Sequence, residues 1–356
     1  MGQIGAGAGM RVTAALPTGV AALLGESARA RRQLESCLVE LVSRRGYAEA
    51  ILPILDYLEP YESLLTPASR AELYRFIDRD GEQLALRADF TPMLARLLAP
   101  RLASLSLPLR LFYRGDVVRY EASRPVGASW RRELYQLGVE LLRAPGGGAL
   151  EPGSALEPGG APDAEREVLC LFLEALAAGL GPRPPRRPPQ VVLGLAGALD
   201  AVLLEAAGEP AAALAAAVAR RDRSVVRRAS PLLLPIVETG LPAAPEDLGP
   251  AAADRLRWLL ALRGELAERY PGVELAVDLA EFALLSRDPR LLAEAGARSY
   301  YDGLVFQAYA GAAAVPVGNG GRYGSLFRAL GADIDAVGFS LNLDGMIEAE
   351  REGGLE

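Results

Sequence analysis

Four groups of polar residues stand inside runs of apolar, strand-like sequence. They are Arg87, Asp89 and Thr91; Arg119 and Glu121; Gln136 and Glu140; and Tyr300 and Tyr301 with a glycine turn at 320–322. Residues two or four apart on a strand share one face of its sheet. Carboxylates bind an ammonium group, and arginine binds a carboxylate. Convergence of the four groups on one sheet face therefore predicts a pocket for a small zwitterion, whereas isolated pairs indicate only a solvated face.

The composition limits the chemistry that these groups can perform. All 38 basic residues are arginine, because the chain contains no lysine and no histidine. This excludes a Schiff-base lysine, a Walker A lysine, a histidine-dependent nucleophile and a histidine-ligated metal. Acid–base chemistry falls to Asp, Glu, Tyr or Cys. We expect neither a metal nor a cofactor.

Length, charge and cysteine content narrow the class of protein. The 356 residues are 51% apolar and 23% charged, which fits one large or two medium globular domains. A net charge of −7 does not favour a broad nucleic-acid footprint. Cys37 and Cys170 lie in apolar helical patterns, which predicts buried free thiols in a reducing cytoplasm. We find no signal peptide and no apolar run near the roughly 20 residues that a membrane span requires.

The first part of the chain carries helix and hairpin signals. Apolar residues recur at helical spacing over 18–46, and Gly46 ends the pattern. A short strand follows and is broken at Pro53, which suits an edge or interface position. The pair Asp80-Gly81 predicts a tight hairpin.

The next elements would hold most of the polar groups. A helix follows the hairpin, with Thr91 as its predicted N-cap and Pro92 at its first position. Two long alternating runs, 107–121 and 132–142, predict an antiparallel pair joined by a polar loop. Gly138 lies on the second run, where the missing side chain would let a ligand approach the strand.

The rest of the chain predicts an α+β fold. We expect a disordered N-terminal segment 1–14, one domain over 15–356, a flexible loop at 144–162 and a mainly helical insertion at about 197–271. Strand signals on both sides of the insertion predict an antiparallel sheet flanked by helices, with a tight turn at 317–324. Tyr323 replaces the third glycine of a dinucleotide motif, so a dinucleotide site is disfavoured.

Several segments resemble two related families. FYRGDVVRYE…RELYQLGVELL resembles motif 2 of class II aminoacyl-tRNA synthetases, in particular the histidyl branch. GYAEAILP resembles motif 1, with Pro53 at a subunit interface, and AVGFSLNLDGM stands in the place of motif 3. LALRADFTPMLAR is instead similar to the regulatory subunits of ATP phosphoribosyltransferase, paralogues of histidyl-tRNA synthetase in histidine biosynthesis. YYDGLVFQAYA…GNGGRYGSLFRALG is similar to the histidine-recognition segments of both families. The resemblance spans about residues 15–349.

The resemblance also implies roles for individual residues. It assigns Asp89 and Thr91 to the amino end of a bound histidine, Gln136 and Glu140 to the sheet floor, Tyr300 and Tyr301 to the imidazole, and Arg119 to the carboxylate or a phosphate-like group. The segment departs from the synthetases at Met93, where glutamine is more usual. The loop between the two motif 2 strands is also a few residues longer.

Three differences from the synthetases favour a regulator. Gly296 stands where they carry a catalytic arginine, and Gly345 stands where the motif 3 arginine holds the ATP phosphates. The chain ends at Glu356, so we expect no anticodon-binding domain. Loss of fixed cations removes electrostatic stabilisation that adenylation requires.

The resemblance therefore implies a non-catalytic, cytoplasmic regulatory subunit, required for the activity and histidine feedback control of the first step of histidine biosynthesis. Its partners would be a short-form ATP phosphoribosyltransferase catalytic subunit and L-histidine, with a homodimer inside a hetero-oligomer and no tRNA. The alternative is a histidyl-tRNA synthetase-like adenylate-forming or aminoacyl-transferring enzyme, which Arg119 and Glu121 support. A third option is a tRNA-binding fragment, which the acidic charge opposes. Whether histidine would occupy the synthetase-like pocket or an interface site stays open.

Overall fold

A computed structural model describes most of the chain. The described residues are 16–65, 70–120, 131–145, 164–181, 187–206, 210–287, 301–311 and 315–354. The predicted segment 1–14 and nearly all of the loop 144–162 lie outside them. Glu121, Gly296 and Tyr300 also lie outside the described residues.

The described part of the chain contains both strands and helices. The strands are β1 (Ala48–Glu49), β2 (Leu55–Tyr57), β3 (Arg75–Ile77), β4 (Gln83–Leu86), β5 (Leu109–Val118), β6 (Glu133–Arg143), β7 (Gln190–Leu195), β8 (Glu274–Val277), β9 (Leu304–Tyr309), β10 (Gly318–Arg322) and β11 (Asp335–Asn342). The α-helices are α1 (Glu26–Arg44), α2 (Glu59–Leu64), α3 (Phe90–Leu98), α4 (Ala164–Gly179), α5 (Asp200–Glu205), α6 (Ala211–Ala219), α7 (Arg223–Ala229), α8 (Leu234–Thr239), α9 (Pro250–Arg269), α10 (Gly324–Ala329) and α11 (Leu343–Gly354). Short 3₁₀ turns cover Ala99–Ser104, Pro231–Leu233 and Pro245–Leu248.

The described strands form one large and one small sheet. The large sheet has eight strands in the order β1-β5-β6-β11-β10-β9-β7-β8, and the small sheet has the order β2-β4-β3. The central pairs of the large sheet are antiparallel, as the alternating runs predict. Both edge pairs, β1 with β5 and β7 with β8, are parallel, so the sheet is mixed. The α+β class and its helical flanks agree with the prediction.

One face of the large sheet carries the main core. Leu137, Val139 and Leu141 alternate along β6 and are fully buried, as period-two patterning requires. The ring of Phe172 on α4 packs 4.8 Å from that of Phe306 and 5.2 Å from that of Phe339, measured between ring centroids. Each buried side chain of this size contributes about 1.5–3 kcal/mol. Helices α1, α4 and α11 pack together over this face.

The opposite face is left partly open. Helices α3 and α10 contact each other on this side, with the small sheet beside them. Helices α5 to α9 lie between 197 and 271 and extend the core around β7 and β8. The hairpin at Asp80-Gly81 is confirmed: Gly81 has φ +88°, and Asp78 Oδ1 accepts hydrogen bonds from the N–H groups of Asp80 and Glu82.

Three local predictions are wrong. Thr91 does not cap α3; Asp89 does, because its Oδ1 accepts a hydrogen bond from the Thr91 N–H at 3.1 Å. Much of the predicted turn 317–324 is strand β10, since pairing with β9 and β11 on both sides imposes extended backbone on a glycine-rich sequence that has no alternation. Cys37 is exposed, because the buried stripe of α1 runs through Leu34, Leu38 and Val42. Cys170 on α4 is only half-buried.

No helix in the described ranges combines the length and the apolar character that crossing a bilayer demands. Likewise, the described residues contain no group of three or more cysteines and carboxylates arranged to hold a metal ion.

Candidate functional site

A cavity of about 260 Å³ opens on the less covered face of the large sheet. It contains six of the seven residues predicted for the site, together with residues from β10, β11 and neighbouring segments. The predicted residues are Asp89, Thr91, Arg119, Gln136, Glu140 and Tyr301. The seventh, Tyr300, lies outside the described residues. The fold thus brings together predicted residues that are up to 212 positions apart in the sequence. Their binding role stays a prediction.

Glu140 lies at the floor of this cavity. It is only 1% exposed, and its register partner on β11 is Gly338. Its Oε1 accepts a hydrogen bond from Thr91 Oγ1 at 2.7 Å, and its Oε2 accepts one from the hydroxyl of Tyr323. A Cβ at position 338 would collide with the Glu140 carboxyl group. Glycine at 338 is therefore what allows this carboxyl to lie across β11.

The electrostatics of Glu140 are dominated by burial. Desolvation raises its pKa to about 8, although hydrogen bonds from Tyr323, Thr91 and Tyr113 oppose that shift. The charge of Asp89 also raises it, and the pKa of about 8 is the result of all these effects together. A positively charged group entering the cavity would relieve both effects, because it would stabilise the ionised carboxylate.

Asp89 and Arg119 form the more exposed side of the site. One carboxylate oxygen of Asp89 caps α3, a position where the helix dipole favours negative charge. The other, Oδ2, lies 4.0 Å from Nη2 of Arg119. Arg119 is held in place because its Nε donates to the carbonyl oxygen of Ala88 at 2.6 Å. The cavity thus presents one guanidinium beside two carboxyl groups, which suits a ligand with both an ammonium and a carboxylate.

Gln136 and Tyr301 complete the predicted lining. Gln136 is buried on the same face of β6 as Glu140, as their even spacing predicts. Tyr301 precedes β9 and is half-buried, and burial raises the pKa of its hydroxyl above the ordinary value. It stays protonated and can donate a hydrogen bond at any physiological pH.

Arg87 is not part of the cavity, although the sequence places it in the same group as Asp89. Its guanidinium donates to the carbonyl oxygens of Leu52, Pro53 and Asp116 at 2.7–3.1 Å. It also lies 3.8 Å above the ring centroid of Phe90. Arg87 therefore joins the motif 1 segment to the start of α3, and its role is structural.

Gly138 does not offer a ligand an open approach, so that prediction is also wrong. The register of β5 and β6 places Tyr113 directly opposite Gly138, and the phenol ring of Tyr113 covers the glycine. A Cβ at 138 would come within 2.5 Å of the Tyr113 ring and hydroxyl. Tyr113 in turn stacks on Phe90, with ring centroids 4.2 Å apart.

The sequence did not single out Tyr113 and Tyr323 as site residues. Both are buried, both line the cavity, and both have hydroxyls near the Glu140 carboxyl. No sequence signal marked Tyr113, because the strand register that places it over Gly138 is a tertiary property. Met93 faces away from the cavity and is fully buried with Leu58, Tyr61 and Ala85.

Gly345 lies in the first turn of α11. Its N–H donates to the side-chain oxygen of Asn342 at 3.2 Å, which caps the helix. Glycine has no side chain, so position 345 carries no cation where the synthetase resemblance places the motif 3 arginine.

Sequence comparison reveals related proteins over nearly the whole chain. A family model described as histidyl-tRNA synthetase matches residues 19–346. The ATP phosphoribosyltransferase regulatory subunit of Anaeromyxobacter dehalogenans is 34% identical over 346 residues, covering 95% of this chain and 92% of that protein.

Two solved structures share the fold. An ATP phosphoribosyltransferase regulatory subunit/histidyl-tRNA synthetase from Bacillus halodurans has a TM-score of 0.69 at 24% identity, covering 95% of this chain and 83% of that chain. A chain of the ATP phosphoribosyl transferase HisG:HisZ complex from Thermotoga maritima has a TM-score of 0.58 at 21% identity, covering 88% and 97%. At these identities the likeness concerns the fold alone.

Proposed function

Because the chain belongs to the family of ATP phosphoribosyltransferase regulatory subunits, with a histidyl-tRNA synthetase-like fold, we propose that it activates a separate catalytic subunit and makes it responsive to histidine. The catalytic partner would be a short-form ATP phosphoribosyltransferase, and the two would form a hetero-oligomer in the cytoplasm. The observation that carries this proposal is the 34% identity that extends over 95% of the chain.

The charges of the cavity support histidine as the effector. Glu140 and Asp89 can accept hydrogen bonds from an ammonium group, and Arg119 can pair with a carboxylate. A volume of about 260 Å³ is sufficient for a single amino acid. Tyr301 lies in the same cavity and offers a ring and a hydroxyl to an imidazole.

We further propose that the chain contributes no catalytic residue. Adenylation places negative charge on the ATP phosphates, and fixed cations stabilise that charge in the transition state. Gly345 supplies none at the motif 3 position, and Gly296 supplies none at the other position that the synthetase resemblance marks. Arg119 is the cation that lines the cavity, but its guanidinium already donates to the carbonyl oxygen of Ala88 and lies beside the carboxylate of Asp89.

A homodimer is the third part of the proposal. The segment on both sides of Pro53 exposes large apolar side chains: Ile51 is 88% exposed, Tyr57 56%, and Ile54 and Leu55 more than 40%. Exposed apolar residues that are contiguous on one segment are typical of an interface. Motif 1 is the dimer segment of the class that the sequence resembles, and a two-fold axis would bury this surface against its own copy.

The test is reconstitution with the catalytic subunit encoded beside this chain's gene or elsewhere in its genome. We expect phosphoribosyl transfer to ATP to rise when the chain is added, and histidine to inhibit the mixture but not the catalytic subunit alone. Transfer activity that is the same with and without the chain would overturn the proposed function. If histidine also inhibits the isolated catalytic subunit, the effector site lies on that subunit and not on this chain.

A further inference from the structure

Five arginines lie close together in a short segment of the helical insertion. They are Arg220, Arg221, Arg223, Arg227 and Arg228, and we call them the arginine patch. All five are exposed, although the chain as a whole carries a net charge of −7. Asp222 is the one acidic residue within 220–232. Its carboxylate caps α7 by accepting hydrogen bonds from the N–H groups of Ser224 and Val225. The segment therefore presents positive charge that it does not neutralise itself.

Two arginines of the patch are held in place by other elements. Arg221 pairs with Asp278, which directly follows β8, and donates to the carbonyl oxygen of Val237 at 2.9 Å. Its backbone has φ 55°, a conformation that non-glycine residues adopt rarely. Arg223 pairs with Glu238 on α8. These contacts fix the segment against the β8 edge of the large sheet.

Arg227 and Arg228 form no ion pair with any residue that the structure describes. They lie on the exposed side of α7, whereas Val226 is fully buried. Leu232 follows four residues after Arg228 and is 53% exposed, which adds an apolar side chain to the charged surface. Two unpaired guanidinium groups and an exposed leucine match an acidic protein surface, since arginine binds a carboxylate through two parallel hydrogen bonds.

A nucleic acid fits this surface less well. Surfaces that bind single-stranded nucleic acid combine positive charge with aromatic rings on which the bases stack. The sequence has no aromatic residue from 197 to 257. Duplex binding relies on a basic stripe that neutralises several phosphates, and this chain is acidic overall. The chemistry of the patch therefore favours a protein partner that carries carboxylates.

The patch lies far from the surface proposed for the homodimer. Ile51, which belongs to that surface, follows β1 at one edge of the large sheet, and Arg221 contacts the residue after β8 at the other edge. Neighbouring strands lie about 4.8 Å apart, so the seven steps across the eight strands separate the two edges by about 34 Å along the sheet. A two-fold axis through the Pro53 segment thus leaves the patch of each subunit uncovered.

We propose that the arginine patch is a docking surface for the catalytic subunit, which meets it with an acidic face. Carboxylates of the partner pair with Arg227 and Arg228, and Leu232 packs against the partner beside them. Attraction between opposite charges speeds association and weakens as salt is added. This inference rests on the proposed function and deepens it, because it names where the two subunits meet.

The test measures association of the full chain with the catalytic subunit by surface plasmon resonance. The screening length falls from about 10 Å at 0.1 M salt to about 3 Å at 1 M, so both concentrations are used. We expect the double variant Arg227→Glu, Arg228→Glu to associate roughly tenfold or more slowly than the wild type at the lower salt, and within about threefold at the higher salt. The double variant Arg227→Gln, Arg228→Gln removes the charges without reversing them and should fall between the two.

The matched control is Arg79→Glu with Arg101→Glu, which changes the net charge equally at two exposed positions on other segments. It should associate like the wild type, and circular dichroism and light scattering should show the same fold and oligomeric state for every variant. Equal rates for the patch and control variants, or wild-type association that does not depend on salt, would overturn the inference and leave the proposed function intact. A wild-type chain that fails to bind the catalytic subunit at either salt concentration overturns the proposed function itself.

A short fluorescent RNA duplex tests the other class of partner. We expect the wild-type chain and the Arg227→Glu, Arg228→Glu variant to bind it equally weakly. Strong binding by the wild type that this variant loses, with association to the catalytic subunit unchanged, assigns the patch to a nucleic acid and overturns the inference.

Discussion

Thr91 and Glu140 are joined by a hydrogen bond of 2.7 Å between Thr91 Oγ1 and Glu140 Oε1. This contact ties the first turn of α3 to the centre of the large sheet, across 49 positions of sequence. The backbone N–H of the same threonine is held by Asp89. Two carboxyl groups of the cavity are thus fixed through one residue. A ligand that binds Glu140 would therefore also change the hydrogen bond that holds the first turn of α3, and we propose this bond as a route from binding to a change in the subunit.

The first prediction concerns histidine sensitivity. Replacement of Glu140 by Gln preserves side-chain volume, and the hydroxyls of Thr91 and Tyr323 can bond an amide. We expect the fold and the complex with the catalytic subunit to persist. The histidine concentration for half inhibition should rise at least tenfold, because a lost charge interaction of about 1.4 kcal/mol corresponds to a factor of ten. The measurement is an inhibition curve at matched subunit concentrations.

The control for that curve is Asp333→Asn, which also removes one carboxylate but lies in an exposed position outside the cavity. Its curve should coincide with that of the wild type. If the Glu140→Gln curve coincides as well, histidine acts at another site, such as an interface between subunits.

The second prediction concerns catalysis. Purified chain should not exchange pyrophosphate into ATP in the presence of histidine, because Gly345 provides no cation for the phosphates. Even Gly345→Arg should leave exchange absent, since restoring one cation does not replace the second at position 296. A histidyl-tRNA synthetase assayed in parallel shows that the assay works. Exchange by the wild-type chain clearly above a blank would revive the adenylate-forming alternative.

The sequence predicted the parts of the site that depend on strand spacing. Gln136 and Glu140 are four apart and do share a face of β6. It could not predict which side chain covers that face, because the position of Tyr113 over Gly138 depends on the register of β5 against β6. The start of α3 shows the same limit. Asp89 and Thr91 are both good N-cap residues; in the fold Asp89 caps the helix and the hydroxyl of Thr91 bonds Glu140, a contact that depends on the tertiary structure.

The third prediction concerns assembly. We expect a homodimer at micromolar concentration, held by the exposed apolar segment around Pro53. Changing Ile51 to Glu places a charge in the proposed interface and should produce a monomer by light scattering. Ile51 is 88% exposed in the single chain, so the substitution should leave the free energy of unfolding of the monomer within about 0.5 kcal/mol. Leu284→Glu is the matched control, because Leu284 is also exposed but lies on a different segment. A wild-type monomer would contradict the proposal.

The fourth prediction concerns Arg87. Its buried side chain donates hydrogen bonds to three carbonyl oxygens, those of Leu52, Pro53 and Asp116. Replacement by Leu leaves them without donors, and we expect a loss of about 3 kcal/mol in the free energy of unfolding, measured by urea titration. Arg101→Leu removes an exposed arginine that bonds one carbonyl and should cost less than about 0.5 kcal/mol. Equal losses for the two variants would show that Arg87 is not the link between motif 1 and α3.

The last prediction is the pH dependence of stability. The pKa of Glu140 is raised from 4.5 to about 8 in the folded chain, so between these values the folded state holds a proton that the unfolded state has released. Its contribution to stability is complete below pH 4.5 and is lost as the pH rises to 8. Relative to Glu140→Gln, which cannot titrate, the wild type should lose on the order of 1 kcal/mol per pH unit across that window. The measurement is the difference in free energy of unfolding between the two proteins at pH 5.5, 6.5 and 7.5, in which the other titrating groups cancel. Glu35→Gln should give the opposite sign, with the wild type losing stability as the pH falls below the ordinary glutamate range, because the pKa of Glu35 is lowered. A difference between wild type and Glu140→Gln that is flat from pH 5.5 to 7.5 would mean that Glu140 is ionised throughout, and that the empty pocket already contains a compensating charge.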